Sequence, residues 1–379
     1  MKICHITISH ASDDTRIFKK ECKSLCKVGY EIILIAPHGK NDSIDGINIL
    51  NVNKWKNMIE RIYFVPKEAI ALANKIDAAL YHFHDPELLP HMILFSKKTG
   101  KTVIWDAHEN YLDSIYQHNS LKIRPLSWLV AKYFNYIELK SLRKKYFGGV
   151  ITINDKMAKK YEHTKTNICT IANYADIDYY KYDGRNSLSK IPRLVSVGMQ
   201  IKERGILEIA KSFKLIKKEI NAEIYFSGKF NKIDLRNEVH SILTDADSSK
   251  KYWKIEGEVS HNHLINLSIP KAWAGLVLFD LSNPNNRNGL PNRLFEYWAN
   301  AVPVIVSGET EVARLVEYEG GGLILKNNTP QEISEAFLFL AKDKLLRDKM
   351  GTNGYNAVKN KYNWNSDFKK LQSFYKKIL

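Results

Sequence analysis

The sequence predicts an α/β protein built from two doubly wound, parallel-sheet domains. Three observations carry that expectation. Short apolar segments alternate with amphipathic ones from end to end, and the alternation lapses over Asn173–Lys190 and then restarts. The length of 379 residues, at ~150 per domain, is enough for two cores.

Taken in order, Ile3–Ser9 reads as a strand, Arg16–Lys27 as a helix and Glu31–Ala36 as the next strand. Further apolar runs at Ile47–Val52, Ala78–His82, Thr102–Trp105, Gly149–Ile153 and Asn167–Ile171 extend the first sheet. After the lapse, Arg193–Val197 opens a second series, followed by a helical pattern over Arg204–Ile220 and a strand at Ala222–Phe226. Strands at Lys254–Gly257, Gly275–Phe279, Pro303–Ser307 and Gly322–Leu325 complete it, and Pro330–Leu379 reads as helices only. Strand–helix–strand alternation buries both faces of a sheet, which argues for parallel strands with helices on either side. The expected domains are residues 1–175 and 176–360, with a helix over 361–379 packing back toward the first.

Composition excludes several classes. No apolar run approaches the ~18 residues of a membrane span, and Ala274–Phe279 is typical of the longest. Met1–Ser9 carries one lysine and leads straight into Asp13 and Asp14, a first strand rather than a signal peptide. A cytoplasmic protein is expected. Cys4, Cys22, Cys26 and Cys169 make no CxxC pair and no zinc spacing, so they read as reduced, mostly buried thiols. The 57 Lys and Arg against 41 Asp and Glu give a net charge of +16. Residues 1–175 hold 26 basic and 17 acidic side chains (+9), the remainder 31 and 24 (+7), so no basic arm for nucleic acid stands out. The excess favours acidic lipid or a phosphorylated small molecule, and plain solubility explains it equally well.

In doubly wound sheets, ligands sit beyond the carboxyl ends of the strands. Those positions here are His10 and Asp13–Arg16, His82–Asp85, Asp106–Glu109, Gly198–Gly205, Ser227–Gly228 and Asp280–Pro291, which are the polar and glycine-rich segments. In NNRNGLPNRLFEYWANAVPVIVS (Asn285–Ser307), Gly289 suits a turn and Pro291 the first helical position. The N–H groups of Leu290, Asn292 and Arg293 then form an anion site at a helix N-terminus, with Glu296 one turn in and placed for a sugar hydroxyl. A capped helix with an ordinary surface glutamate explains the same residues. In LVSVGMQIKERGI (Leu194–Ile206), Gly198 follows a strand, and Lys202 and Arg204 precede Gly205; an arginine there clamps a diphosphate bidentately. Metal binding by His82, His84, Asp85, His108 and Glu109 is set aside because no HExxH-type helical spacing occurs.

These segments resemble retaining glycosyltransferases of family 4, which have the GT-B fold of two facing Rossmann-like domains. The resemblance rests on DTRIFKKECKS with GYEIILIAP, HFHDPELLP, VIWDAHENY, SVGMQIKERGI and GLPNRLFEYWANAVPVIVS, in the family's order over about the whole chain. It implies that Glu296 holds the donor ribose and that Gly289, Leu290 and Asn292 contact donor sugar and diphosphate. Gly198, Lys202, Arg204 and Gly228 would line the same donor site, with Arg204 as the phosphate-binding cation. His108 would lie near the reacting sugar, and Arg16, His84, Asp85 and Glu109 on the acceptor side. The chain departs from the family at Asn288, where a glutamate is usual, at Met199, where an arginine is usual, and at Ser9–Asp14, which replaces a Gly-Gly loop.

The implied activity is transfer of a sugar from a nucleoside-diphosphate donor, UDP ahead of GDP, with retention. It needs no metal and no cofactor beyond the co-substrate itself. The implied acceptor is a glycan or polyprenyl-linked glycan of a cell-surface polysaccharide, such as O-antigen, capsule or exopolysaccharide. Domain closure would exclude water. A sugar-nucleotide epimerase of the same architecture and a non-catalytic sugar-nucleotide-binding module are the alternatives. Residues 122–147, with seven basic side chains and one acidic, offer a peripheral contact with anionic membrane. There, Leu126, Leu129, Val130, Tyr133 and Ile137 fall at helical spacing and are expected to pack on their own sheet.

Overall fold

The computed structural model describes residues 1–107, 124–180, 182, 184, 188–282, 287 and 289–379, and only the backbone of 124–127. The chain forms two compact units: residues 1–173 with 365–379, and residues 174–364.

The first unit is built on an eight-stranded sheet. Its strands are β1 (Lys2–Ile6), β2 (Glu31–Ala36), β3 (Asp42–Ile44), β4 (Ile47–Asn51), β5 (Leu80–Phe83), β6 (Thr102–Ala107), β7 (Gly149–Thr152) and β8 (Asn167–Thr170). They lie in the order β3-β4-β2-β1-β5-β6-β7-β8. All neighbours are parallel except β3 and β4, which pair antiparallel across Asp45-Gly46. Both turn residues have positive φ (53° and 79°), the two-residue geometry that matches the twist of a hairpin. Helix α1 begins as a wide π-helical stretch, Thr15–Cys22, capped by the Asp14 carboxylate, and runs on as Lys23–Lys27. Helices α2 (Val65–Ala73) and α3 (Leu89–Thr99) cross between strands, as do α4 (Arg124–Arg143) and the short α5 (Asp155–Lys159). Trp105 stacks on Phe83 with ring centroids 4.6 Å apart in the core.

The second unit holds six parallel strands: β9 (Arg193–Val197), β10 (Glu223–Ser227), β11 (Trp253–Gly257), β12 (Ala274–Val277), β13 (Val304–Ser307) and β14 (Gly322–Leu325). Their order is β11-β10-β9-β12-β13-β14. Helix α6 (Ile206–Glu219) buries Ile206, Ile209, Ala210, Phe213 and Ile216, one stripe at helical spacing. Each large apolar side chain so buried contributes about 1.5–3 kcal/mol. Helix α7 (Ile233–Ala246) follows, then α8 (Asn292–Ala299), α9 (Glu311–Glu319), α10 (Pro330–Lys342) and α11 (Lys344–Asn360).

The last helix, α12 (Trp364–Ile378), returns residues 365–379 to the first unit. Its Phe374 and Ile378 lie against Gly149 and Gly148, where any Cβ would collide with them. Two small residues at the start of β7 thus leave the room that the helix fills. The fold class read from the sequence is the one observed. Edge strand β3 was not anticipated, and Pro291 caps α8 rather than opening it. All four cysteines are free thiols, with Cys26 and Cys169 only half-buried. No helix among the described residues is long and apolar enough to cross a membrane.

Candidate functional site

Strand order reverses direction at β9/β12 in the second unit, and a ligand crevice is expected outside the carboxyl ends there. The residues beyond β9 are held by backbone. Gly198 N–H donates to the Ser227 carbonyl (2.9 Å), and Gly228 N–H donates to the Gly257 carbonyl (2.7 Å). Gly228, at φ 141°, comes so close to the Gly198 carbonyl that a Cβ would overlap it. Buried Gln200 fastens the turn, its amide donating to the carbonyls of Gly198 (2.8 Å) and Ser196 (3.2 Å).

Arg204 ends a helical turn at Lys202–Arg204, and its Nη1 donates to the Met199 carbonyl (2.9 Å). That nitrogen would lie 3.3 Å from a Cβ on Gly198, so the guanidinium rests on the glycine. Lys202 is exposed. A second guanidinium enters from α8. Arg293 is buried, donates from Nη2 to the Leu278 carbonyl (2.8 Å), and among the described residues has no hydrogen-bond partner at Nε. Burial, and then the charge of Arg204, pull Arg293 down to about 9. Burial also lowers Arg204. Among the described residues, neither arginine forms an ion pair with a carboxylate. Two partly desolvated cations, neither ion-paired to a carboxylate among the described residues, have the chemistry to take an anion.

The first turn of helix α8 brings Arg293 within electrostatic reach of Arg204, and among the described residues no side chain caps the helix N-terminus. The helix is fixed by its own aromatic residues. The Tyr297 hydroxyl donates to the Val195 carbonyl (2.8 Å) and accepts from Val197 N–H (3.1 Å), tying α8 to β9. Trp298 Nε1 donates to the Gly321 carbonyl (3.0 Å). Glu296 is 8% exposed, and its Oε1 lies 2.9 Å from His261 Nε2. His261 starts a short turn capped by Ser260 just beyond β11. A Cβ at Gly289 would meet no atom, so neither packing nor a positive φ demands that glycine. Leu290 and Asn292 are half-buried at the helix start.

The first unit gathers a different group. Arg16 makes a two-pronged contact with Asp106 (Nε–Oδ2 3.0 Å, Nη2–Oδ1 3.2 Å) and donates to the Ile171 carbonyl (3.1 Å). His84 Nδ1 faces Asp106 Oδ2 at 3.0 Å. Asp85 accepts from Thr7 Oγ1 (2.7 Å), Ile8 N–H (2.6 Å) and Ser9 N–H (3.3 Å), and its Oδ1 lies 3.0 Å from His10 Nδ1. Arg16, His84 and Asp85, read from the sequence as acceptor-side residues, are therefore buried and engaged with the protein's own groups. Burial, then the neighbouring imidazoles, lowers His5 and His82 well below the usual histidine range. Burial lifts Glu21 well above the usual carboxyl range, against the opposing charge of Arg16.

His108, Glu109 and Asn288 lie outside the described residues. The structure brings Gly198, Arg204 and Gly228 to the neighbouring carboxyl ends of β9 and β10. Arg293, His261 and Tyr297 are the site residues that sequence reasoning missed. Arg293 was read only for its backbone, although a cation in the first turn of a helix runs against the dipole and so carries a signal. The polar start SHNH after β11 offered one for His261.

Comparison with known proteins bears on the fold and the family resemblance. A family model described as "Glycosyl transferase-like" matches residues 251–373. The capsular polysaccharide biosynthesis glycosyltransferase CapM of Staphylococcus aureus is 27% identical over 187 residues. That match covers 48% of this chain and 45% of CapM, so it spans under half of the relative's length. Among solved structures, sucrose-phosphate synthase from Thermosynechococcus elongatus superposes with a TM-score of 0.75 at 14% identity, covering 100% of this chain and 98% of the other. Anabaena HepE in complex with UDP and glucose gives a TM-score of 0.72 at 11% identity, covering 100% of both chains. The chain has the GT-B fold and resembles the glycosyltransferases of cell-surface polysaccharide synthesis.

Proposed function

We propose that the chain is a retaining glycosyltransferase that moves a sugar from a nucleoside-diphosphate donor, UDP ahead of GDP, to a glycan or polyprenyl-linked acceptor. The observation that carries this reading is the pair Arg204 and Arg293, without a carboxylate partner among the described residues, beside the uncapped start of α8. A diphosphate supplies the charge both arginines lack, and its oxygens accept from the free N–H groups of the helix. As the glycosidic bond to the donor breaks, negative charge grows on the departing phosphate, and these groups already point at it. No metal is required there, because the arginines and the helix dipole supply the positive charge. One phosphate oxygen takes the acceptor's proton on the face the diphosphate leaves, which retains configuration. Glu296, held by His261, binds the ribose. The space at Gly289 admits the donor. His108 and Asn288 enter through the family resemblance, the first orienting the sugar and the second bonding one of its hydroxyls.

The test is Arg204→Ala, assayed with UDP-sugar and GDP-sugar donors and lipid-linked acceptors. Transfer should fall by at least ~100-fold, the scale of removing one transition-state donor. Near-normal turnover would sink the assignment. Activity should also survive brief EDTA treatment; loss on EDTA with recovery by Mn²⁺ would reverse the metal-free reading of the donor site.

The acceptor's lipid suggests where the protein works, on the cytoplasmic face of the membrane. Helix α4 supports this. Trp128, Leu129, Val130, Tyr133 and Tyr136 are exposed on it, with Lys132 over the Trp128 ring (3.8 Å). Exposed Arg143, Lys144 and Lys145 follow. Aromatic and aliphatic side chains among lysines suit a headgroup boundary with anionic lipid.

A further inference from the structure

The first unit holds a cluster to which the proposed sugar transfer assigns no role. His5 comes from β1, Glu21 from α1, His82 from β5, and His84 directly follows β5. All four side chains are fully buried, and one ligand-type atom from each lies within 4.8 Å of the others. Three of these atoms form a compact triangle. His5 Nδ1 is 3.0 Å from His84 Nε2 and 3.7 Å from Glu21 Oε2, and the third side, His84 Nε2 to Glu21 Oε2, is 3.9 Å. Ligands about 2.0–2.1 Å from a tetrahedral zinc ion stand about 3.3 Å apart, within the spread of those three edges. His82 Nδ1 lies 3.9 Å from the same carboxylate oxygen and 2.6 Å from the Tyr375 hydroxyl, a contact that an ion bound at Nδ1 displaces.

The outer edges of two rings are held as metal-bound imidazoles are. His84 Nδ1 faces the Asp106 carboxylate (3.0 Å), and His5 Nε2 faces the Tyr375 hydroxyl (3.4 Å). With those outer nitrogens engaged, His5 Nδ1 and His84 Nε2 point inward. The independent sign is what remains unpartnered. Among the described residues, neither oxygen of Glu21 has a hydrogen-bond partner. Arg16 Nε is 3.2 Å from Glu21 Oε1, but its single hydrogen is directed to Asp106 (3.0 Å). A buried carboxylate without a hydrogen bond is costly, and a cation on its free oxygen removes the cost.

We propose that His5, His82, His84 and Glu21 bind one divalent first-row transition ion, zinc being the best match to three imidazoles and a carboxylate. The site is closed and structural. It ties β1, β5 and α1 together beneath the carboxyl ends of the strands. The sequence expectation of no metal rested on the lack of a helical ligand spacing. These ligands come from three separate elements, so no such spacing is needed. The proposal is independent of the donor site and of the transfer reaction.

The experiment uses the full chain, expressed and purified without chelator and analysed by elemental mass spectrometry. About one Zn²⁺ or other first-row divalent ion per chain is expected, falling to about a tenth in Glu21→Gln and His84→Gln. Wild type refolded with excess Zn²⁺ and still holding under about a tenth of an equivalent would overturn the proposal. Full metal content in both variants would overturn it too, by placing the ion elsewhere. Should the variants not fold, wild type loaded with Co²⁺ decides. Intense visible bands of a four-coordinate ion with nitrogen and oxygen ligands support the site, and their absence refutes it.

Discussion

Asp85 carries a stability term whose pH dependence follows from its surroundings. Burial alone would raise its pKa. The bond and charge of His10, with the donors at Ile8 and Thr7, outweigh burial and hold it at about 2. A shift of that size is about 2 kcal/mol of stability. Because the folded pKa is depressed, this term is fully present above about pH 4 and is lost as pH falls to about 2. Urea unfolding of Asp85→Asn should show a deficit of about 2 kcal/mol at pH 7 that closes toward pH 2. An unchanged gap across that range would mean the carboxylate is not the source. Glu296 offers a second residue-scale test. Glu296→Ala should weaken UDP binding by roughly 1.5–3 kcal/mol in calorimetry, the value of a hydrogen bond to a charged group. His261→Ala should lose less, since it removes only the group that orients Glu296. Equal affinity in all three proteins would place the ribose elsewhere.

Among the elements, α8 and α4 show what a sequence reveals and what it hides. Helix α8 was legible because its glycine, proline and apolar run mark a helix start after a strand, and ligands collect at such places. Its aromatic residues were not legible as positioning groups, because the partners of Tyr297 lie about a hundred residues away on β9. Strand β3 was missed although Asp45-Gly46 is a hairpin signal, since DSI is short and polar. Of the histidine–glutamate cluster, His82 and His84 stood out in the sequence as candidate ligands, but their meeting with His5 and Glu21 was illegible for the same reason as Tyr297: β1, α1 and β5 come together only in the fold. In α4 the expectation failed in an informative way. Ile137 packs on the core as expected, but Leu129, Val130 and Tyr133 face outward. The inner face is organised instead by buried Glu138, which accepts from Trp105 Nε1 (2.9 Å) and Tyr161 Oη (2.8 Å) and pairs with Lys160 (2.6 Å). A helical period shows that a stripe exists and not which way it faces. Cosedimentation with anionic vesicles at low salt is expected, weakened by high salt and by charge reversal at Arg143, Lys144 and Lys145. Failure of wild type to bind such vesicles would remove the membrane contact and leave the transferase reading intact.

At the scale of the whole molecule, a helix over 361–379 packing back toward the first domain was expected, and the contacts by which residues 365–379 join the first unit are ones no local pattern shows. Tyr375 Oη lies 2.6 Å from His82 Nδ1, so α12 reaches the buried histidines of the first unit. Deleting 365–379 should therefore lower the melting transition of the first unit and leave that of the second in place. Scanning calorimetry of the two chains is the measurement. A uniform drop in both transitions would mean that the helix supports the molecule generally.

The discontinuity of the first unit also sets an order of events at the ribosome. Residues 1–173 emerge first, yet their sheet lacks α12 until residues 174–364 have been made. At ~5–20 residues per second that interval lasts about 10–40 s. Throughout it the glycine-lined strip at Gly148 and Gly149 stands open, and so does the side of His82 that meets Tyr375. The unit that starts first is finished last. For that interval its soundness depends on how well a nascent, unsealed sheet avoids other chains, so the steps most exposed to aggregation fall during synthesis.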